Sequence, residues 1–469
     1  MKHRRAGIGA VLAACCVMPA TADETDQYLS AFIRKYRIPA LSVGVFRNGE
    51  VVKVAGYGTA NLELGTPATG ESVYEIGSIT KQFTAEAVMM LVEENKIGLD
   101  ERLGKYLPRT PPEWGQITIR HILTHTSGLK DWDGTGALSY RREYTPAEYI
   151  DVVAASPLEF APGSQSAYTS AGYPLLGLVI QQVAGVPYEQ FVTERIFHAL
   201  GMRQTRFKHP PDIVAHRASG YVDAGGEFRH GEPLRPTMIA PSGGILTTVV
   251  DLARWDAALW SGRLLKPATL DLMRQPARLN DGMPGVSGIA WFSDVFHGHA
   301  LVLHNGSTVA GFSSVIYHYL SDRLTVAVLC NIDRWNAVNV AAQHVAGLFV
   351  PGVSISSLAE RPDPDPARGR ELAQMLRDVA AGKQTALLTP GLQSRLPAER
   401  RTAIAGHMRE HDRFAFLECE DLGATGAVRF GNLIRSICRY RIKTGAGSVN
   451  YTFEFTPGGL VARFVPEED

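Results

Sequence analysis

Between Arg361 and Pro366 the chain reads Arg-Pro-Asp-Pro-Asp-Pro. Three prolines at alternate positions exclude a helix interior and a central strand, since each ring fixes φ and removes an N–H. The stretch reads as a stiff linker dividing the chain unequally. A division is also expected on size, because 469 residues exceed the roughly 250–300 at which single cores stop growing. Residues 23–360 are read as one domain, 361–366 as the linker, and 367–469 as a small α+β C-terminal domain of no assigned role.

The first 22 residues read as an export signal. Lys2 to Arg5 are basic, Ala6 to Val17 are largely apolar, and Ala20-Thr-Ala22 is a small-residue cleavage site, so the mature chain is expected from Asp23, periplasmic or secreted. A competing signal is Leu12-Ala-Ala-Cys15, which resembles the lipobox of bacterial lipoproteins and makes Cys15 a candidate lipid anchor. No other segment approaches the roughly 18–20 apolar residues that span a bilayer. Lys plus Arg and Asp plus Glu both total 47, leaving no net charge to draw the protein to nucleic acid or an anionic membrane. A small-molecule or short-peptide substrate is expected, with no nucleic acid. Cys330 sits in an apolar run, Leu324 to Cys330, and reads as an inert core thiol. Cys419 and Cys438 can pair in an oxidising compartment, which sequence alone leaves open.

Leu41 to Phe46 and Val51 to Val54 flank Asn48-Gly49, a hairpin signal. Ser78 to about Lys96 has helical spacing at Phe83, Ala87, Met90 and Leu91, ended by Gly98. Tyr173 to Val183 and Val249 to Leu259 read as helices in a long middle section. Leu301 to Leu303, Ser313 to Tyr319 and Leu324 to Cys330 read as antiparallel strands, followed by a helix from Val338 to Phe349. Sheet segments from both ends thus enclose a largely helical middle, an α+β arrangement. Past the linker, Glu371 to Val379 reads as a helix, and Ile437 to Ile442, Val449 to Phe455 and Leu460 to Phe464 as strands.

Three elements carry chemistry. In Gly77-Ser-Ile-Thr-Lys81 the helical offset of three puts Lys81 beside Ser78. A serine hydroxyl is a weak nucleophile until a neighbouring base takes its proton, and a desolvated lysine gives up its own more readily. The helix start adds free N–H groups that favour an oxyanion. Alone this motif is weak, since a chain this long holds about one Ser-x-x-Lys by chance. Tyr168, in Tyr168-Thr-Ser170, is a candidate general base where an ammonium favours its phenolate. His304-Asn-Gly-Ser307 lies at a strand edge, where glycine admits a substrate and the Ser307 N–H can join that of Ser78 as oxyanion donor.

In this order the three elements resemble the serine β-lactamase and penicillin-binding-protein superfamily, specifically the class C β-lactamase-like group with its DD-carboxypeptidases, D-aminopeptidases and esterases. The resemblance runs from about Ser30 to Phe349 and includes Ile119 to Leu129, Pro241 to Thr248 and Asp251 to Trp255. It implies a fold with an antiparallel sheet flanked by helices plus an all-helical subdomain. It also implies acyl-enzyme chemistry on Ser78, with Lys81 and Tyr168 shuttling the proton, Ser170, His304, Gly306 and Ser307 binding substrate or oxyanion, and no cofactor.

Two departures bear on substrate. The second motif usually ends in asparagine, where this chain has the shorter Ser170. The third has His304 where true β-lactamases carry lysine, so a fixed charge becomes a group mostly neutral near pH 7. Recognition of a carboxylate should weaken. The expectation is therefore an esterase, amidase or D-amino-acid peptidase, with a weak β-lactamase or DD-carboxypeptidase as one alternative and an inactive binding or scaffold protein as another. His121 and His125 have the i, i+4 spacing of a zinc pair, but Ile122 stands where the glutamate should be, so no metal site is expected.

Overall fold

A computed structural model describes residues 20–132, 138–233, 237–355, 358–394, 396–409, 413–423, 427–429, 432–444 and 447–468. The basic and apolar parts of the export signal, with Cys15, lie outside the described residues. Ala20 to Asp23 begin a helix, α1, Ala20–Lys35.

The larger unit is built on a seven-stranded antiparallel sheet. Its strands are β1 (Ala40–Arg47), β2 (Glu50–Asn61), β3 (Thr66–Pro67), β4 (Phe292–Phe296), β5 (His299–Thr308), β6 (Phe312–Tyr319) and β7 (Leu324–Cys330), in the spatial order β3-β2-β1-β7-β6-β5-β4. The expected hairpin joins β1 to β2, and Asn48 and Gly49 both adopt positive φ, at 56° and 78°, the turn that matches strand twist. Strand β7 from late in the chain pairs with β1 from its start, Leu41 against Cys330, which brings both ends of the unit together.

Strands β6 and β7 are buried throughout, and β1 all but its last residue, because both sheet faces are covered. Leu41, Val43, Val45, Val326 and Val328 pack with Leu29 and Phe32 of α1 and with Val338 and Val345 of helix Trp335–Phe349. On the opposite face Phe46, Ile316, Ala327 and Leu329 join Phe83 and Trp255 in the larger core, which extends into the helical middle of the chain. That middle supplies α2 (Thr80–Glu93), α3 (Gly172–Ala184) and α4 (Val249–Ser261), and α5 is Trp335–Phe349. Helix α2 starts two residues after Ser78 and stops at Glu93, earlier than expected. Asn95 rather than Gly98 takes the left-handed φ, 57°, that turns the chain away.

Beyond residue 361 a separate core joins Leu372, Leu376, Tyr440, Tyr451, Phe453 and Phe464. It lies between α6 (Pro366–Ala380) with α7 (Ala398–Arg409) and a four-stranded antiparallel sheet of β8 (Arg413–Asp421), β9 (Ser436–Thr444), β10 (Gly447–Phe455) and β11 (Val461–Glu468), in that order. The last linker proline, read as incompatible with a helix, opens α6. At the first helical position proline costs nothing, and the Asp365 side chain caps the turn by accepting from Arg368 N at 3.1 Å. Cys419 and Cys438 face each other across β8 and β9 and form a disulfide. Cys330 is a buried free thiol whose pKa burial pushes up to about 12, an inert state.

Candidate active site

Ser78, the candidate nucleophile, sits on a single 3-10 turn, Gly77–Ile79, that leads into α2. The turn is pressed against β5 so closely that two glycines are obligatory. Gly77 has φ +49°, and a Cβ there would lie 2.8 Å from Ser307 O and 2.9 Å from Ser307 N. A Cβ on Gly306 would lie 2.1 Å from Ile76 O and 2.9 Å from Ser78 N. The peptide nitrogens of Ser78 and Ser307 therefore meet at one end of the site. Strand β4 pairs with β5 only as far as Leu303, so the edge from His304 to Thr308 is left open beside the nucleophile.

Ser78 Oγ lies 2.9 Å from Lys81 Nζ and accepts from Tyr168 Oη at 2.7 Å. Lys81 is fully buried (0% exposed) and has two further partners, Ser170 Oγ at 3.3 Å and the carbonyl oxygen of Ser242 at 3.0 Å. No carboxylate among the described residues lies within ion-pairing distance of it. The Tyr168 and Tyr173 rings stand 5.0 Å and 5.4 Å from its nitrogen. Tyr168 is 38% exposed and faces the cleft. The main chain that carries it is fastened from below: Thr169 N donates to His125 Nδ1 at 3.3 Å and Ser170 N to Asp131 Oδ2 at 3.0 Å.

His304 occupies β5 but does not line the cleft. It is 1% exposed, and its Nδ1 donates to Asn305 O at 2.7 Å, leaving Nε2 buried without a partner. Burial, with Lys81 nearby, lowers its pKa to about 3, so it is neutral at physiological pH. His125 is likewise held well below the ordinary histidine value by burial, by Lys81 and by His304. Its ring lies 4.5 Å from that of Tyr168. His121 Nδ1 instead caps its own helix, accepting from Thr118 N at 3.2 Å.

The cleft, about 600 Å3, opens over Ser78 and is bordered by Tyr168, Ser170, Gly306 and Ser307, with Trp132, Tyr140, Phe292 and Trp335 as an aromatic rim. The structure thus brings Ser78, Lys81, Tyr168, Ser170, Gly306 and Ser307 together, with His304 behind them. Asp131, His125 and the Ser242 carbonyl were not singled out from sequence as parts of the site. A main-chain oxygen carries no residue signature, and the other two hold the site's main chain by accepting from the amides of Thr169 and Ser170.

The chain is similar to several known proteins. The curated relatives include penicillin-binding protein 4* of Bacillus subtilis, 27% identical over 63% of this chain and 70% of its own length, and protein flp of Staphylococcus aureus, 28% identical over 66% of this chain. The chain spans 63% of the length of flp. In fold it is similar to the octameric penicillin-binding protein homologue of Pyrococcus abyssi, with TM-score 0.60, 22% identity and 95% of each chain covered. It is also similar to the D-amino acid amidase of Ochrobactrum anthropi, with TM-score 0.61, 22% identity, 70% of this chain and 98% of that one covered. Residues 25–349 match the family described as Beta-lactamase, and the chain belongs to that family, within the superfamily of serine β-lactamases and penicillin-binding proteins.

Proposed function

We propose that the protein is an exported serine hydrolase that cleaves an ester or amide through an acyl-enzyme on Ser78. The observation that carries this reading is the placement of Ser78 Oγ between Tyr168 Oη at 2.7 Å and Lys81 Nζ at 2.9 Å, at the floor of an open cleft. The three neighbours of Nζ equal in number the three N–H bonds of an ammonium. With all three donated, the acceptor left for the Ser78 proton is the Tyr168 oxygen. Tyr168 acts in this step as the phenolate, its own proton having left beforehand: it takes the Ser78 proton as Ser78 attacks the carbonyl carbon, and returns it to the leaving group as the tetrahedral intermediate collapses. The N–H groups of Ser78 and Ser307 receive the oxyanion. Water repeats the sequence on the acyl group and frees Ser78.

His304 supplies no positive charge to the cleft, which weighs against carboxylate-bearing donors such as β-lactams and peptide C-termini and towards esters, amides and amino-acid derivatives. The fold shared with a D-amino acid amidase supports including amino-acid amides. Export rests on the basic, apolar and small-residue pattern of residues 1–22. Ser78→Ala is expected to abolish both turnover of 4-nitrophenyl acetate and labelling by a fluorophosphonate. Undiminished turnover in that variant removes the proposal.

A further inference from the structure

Charge is unevenly placed in the cleft. Lys208 borders the cleft with its side chain 8% exposed and lies 2.6 Å from Glu75 Oε1, so its charge is cancelled where it stands. Lys81 lies beneath the nucleophile with its hydrogen bonds taken. Asp333 also faces the cleft, exposed, and among the described residues no cation pairs with it. Its Oδ1 accepts from Ser307 Oγ at 2.8 Å and from Ser313 Oγ at 3.3 Å, which fixes the carboxylate and leaves Oδ2 for a ligand. The neighbouring Arg334 turns away to Asp223, 2.8 Å from it. The net field reaching a bound substrate from this part of the cleft is therefore negative.

Ser307 ties this carboxylate to the reacting centre. Its backbone nitrogen is at the oxyanion end of the site, beside Gly77, and its hydroxyl holds Asp333. Asp333 thus lines the same cleft as Ser78 and is bonded to the residue whose N–H faces the oxyanion end, which puts its free oxygen beside the place a carbonyl group on Ser78 occupies. We propose that Asp333 receives a free ammonium group on the acyl part of the substrate, so that the preferred donors are aminoacyl compounds: amino-acid amides and esters, and the N-terminal residue of short peptides. A carboxylate at the same place meets like charge, so the residue that selects the amine also excludes the acid. The aromatic rim of Trp132, Phe292 and Trp335 suits an apolar side chain on that aminoacyl group.

This inference rests on Ser78 being the acylated nucleophile, and the test separates the two. The full-length protein is assayed on phenylalanine 4-nitroanilide, both enantiomers, each with a free and with an N-acetylated amine, and on 4-nitrophenyl acetate, which has no amine. For at least one enantiomer the free amine is expected to exceed its acetylated form in kcat/KM by about five- to tenfold, the size of a partly solvated ion pair. Asp333→Asn keeps the acceptors for Ser307 and Ser313 and is expected to bring that ratio within about twofold, while Asp333→Glu retains the preference. The preference should also fade as pH rises past the α-amine's own titration, near about 8. A ratio unchanged in Asp333→Asn, a wild-type preference for the acetylated form, or no anilide turnover by protein that hydrolyses 4-nitrophenyl acetate overturns the ammonium subsite alone. Acetate turnover surviving Ser78→Ala overturns the hydrolase reading beneath it.

Discussion

Among the described residues two polar side chains bond to Ser78 Oγ, and they make separable contributions. Tyr168→Phe leaves the ring packed against His125 and removes one proton acceptor. We expect kcat to fall by about 10²- to 10⁴-fold, with the unfolding midpoint little changed. Lys81→Met leaves the Ser242 carbonyl and the Ser170 hydroxyl without their partner, so both activity and stability should fall. His304 matters at this scale through linkage. Its folded pKa, about 3, lies below the 6.5 of an unfolded histidine, so between those values the unfolded chain binds the extra proton. Stability contributed by keeping this ring neutral is intact above about 6.5 and declines as pH falls towards about 3. His304→Gln removes the titration, and the melting temperature of that variant should fall less steeply than wild type across this window. Equal slopes would show that His304 does not titrate in this way.

At the scale of elements, the site is a contact between the 3-10 turn before α2 and the free edge of β5. Both partners were legible as motifs, but their closeness was not. Gly306 read as a glycine that admits substrate, whereas the structure also needs it for contact with the turn, where a Cβ would lie 2.1 Å from Ile76 O. Gly306→Ala must push β5 from the turn, and we expect at least about tenfold loss of kcat, because small displacements of oxyanion donors are costly. Crystals or spectra of that variant should retain the seven-stranded sheet. Strand β4, which sequence reading passed over, stops beside Leu303 and so leaves the edge open. Its sequence, Phe-Ser-Asp-Val-Phe, follows a stretch dense in glycine and proline, and an edge strand so short needs no strong pattern of its own.

The whole molecule joins two units through named contacts. The turn between β4 and β5 meets the smaller unit where His297 bonds Glu418 and the Arg439 guanidinium lies 4.3 Å from the Phe296 ring. Burial raises the Glu418 pKa, but His297 and Arg439 outweigh it and hold the carboxylate below its usual range. One residue along, the Cys419–Cys438 disulfide clamps the same two strands, closing a loop with a sequence separation of 19. Replacing both cysteines with alanine should destabilise the smaller unit by about 3 kcal/mol. All six tryptophans precede the linker, so their fluorescence follows the larger unit while tyrosine and far-UV signals add the smaller one. Separation of the two transitions in the double variant, with esterase activity retained through the first, is the expected outcome. The sequence by itself marked Ser78 as the candidate nucleophile and determined the order of the three motifs and the α+β class, because these rest on local spacing and periodicity. Only the tertiary structure decided that His304 is buried and neutral, that a carbonyl from Ser242 holds Lys81, and that Asp333 stands in the cleft. Those depend on contacts between residues distant along the chain, where burial and the direction of each side chain set the charge a substrate meets.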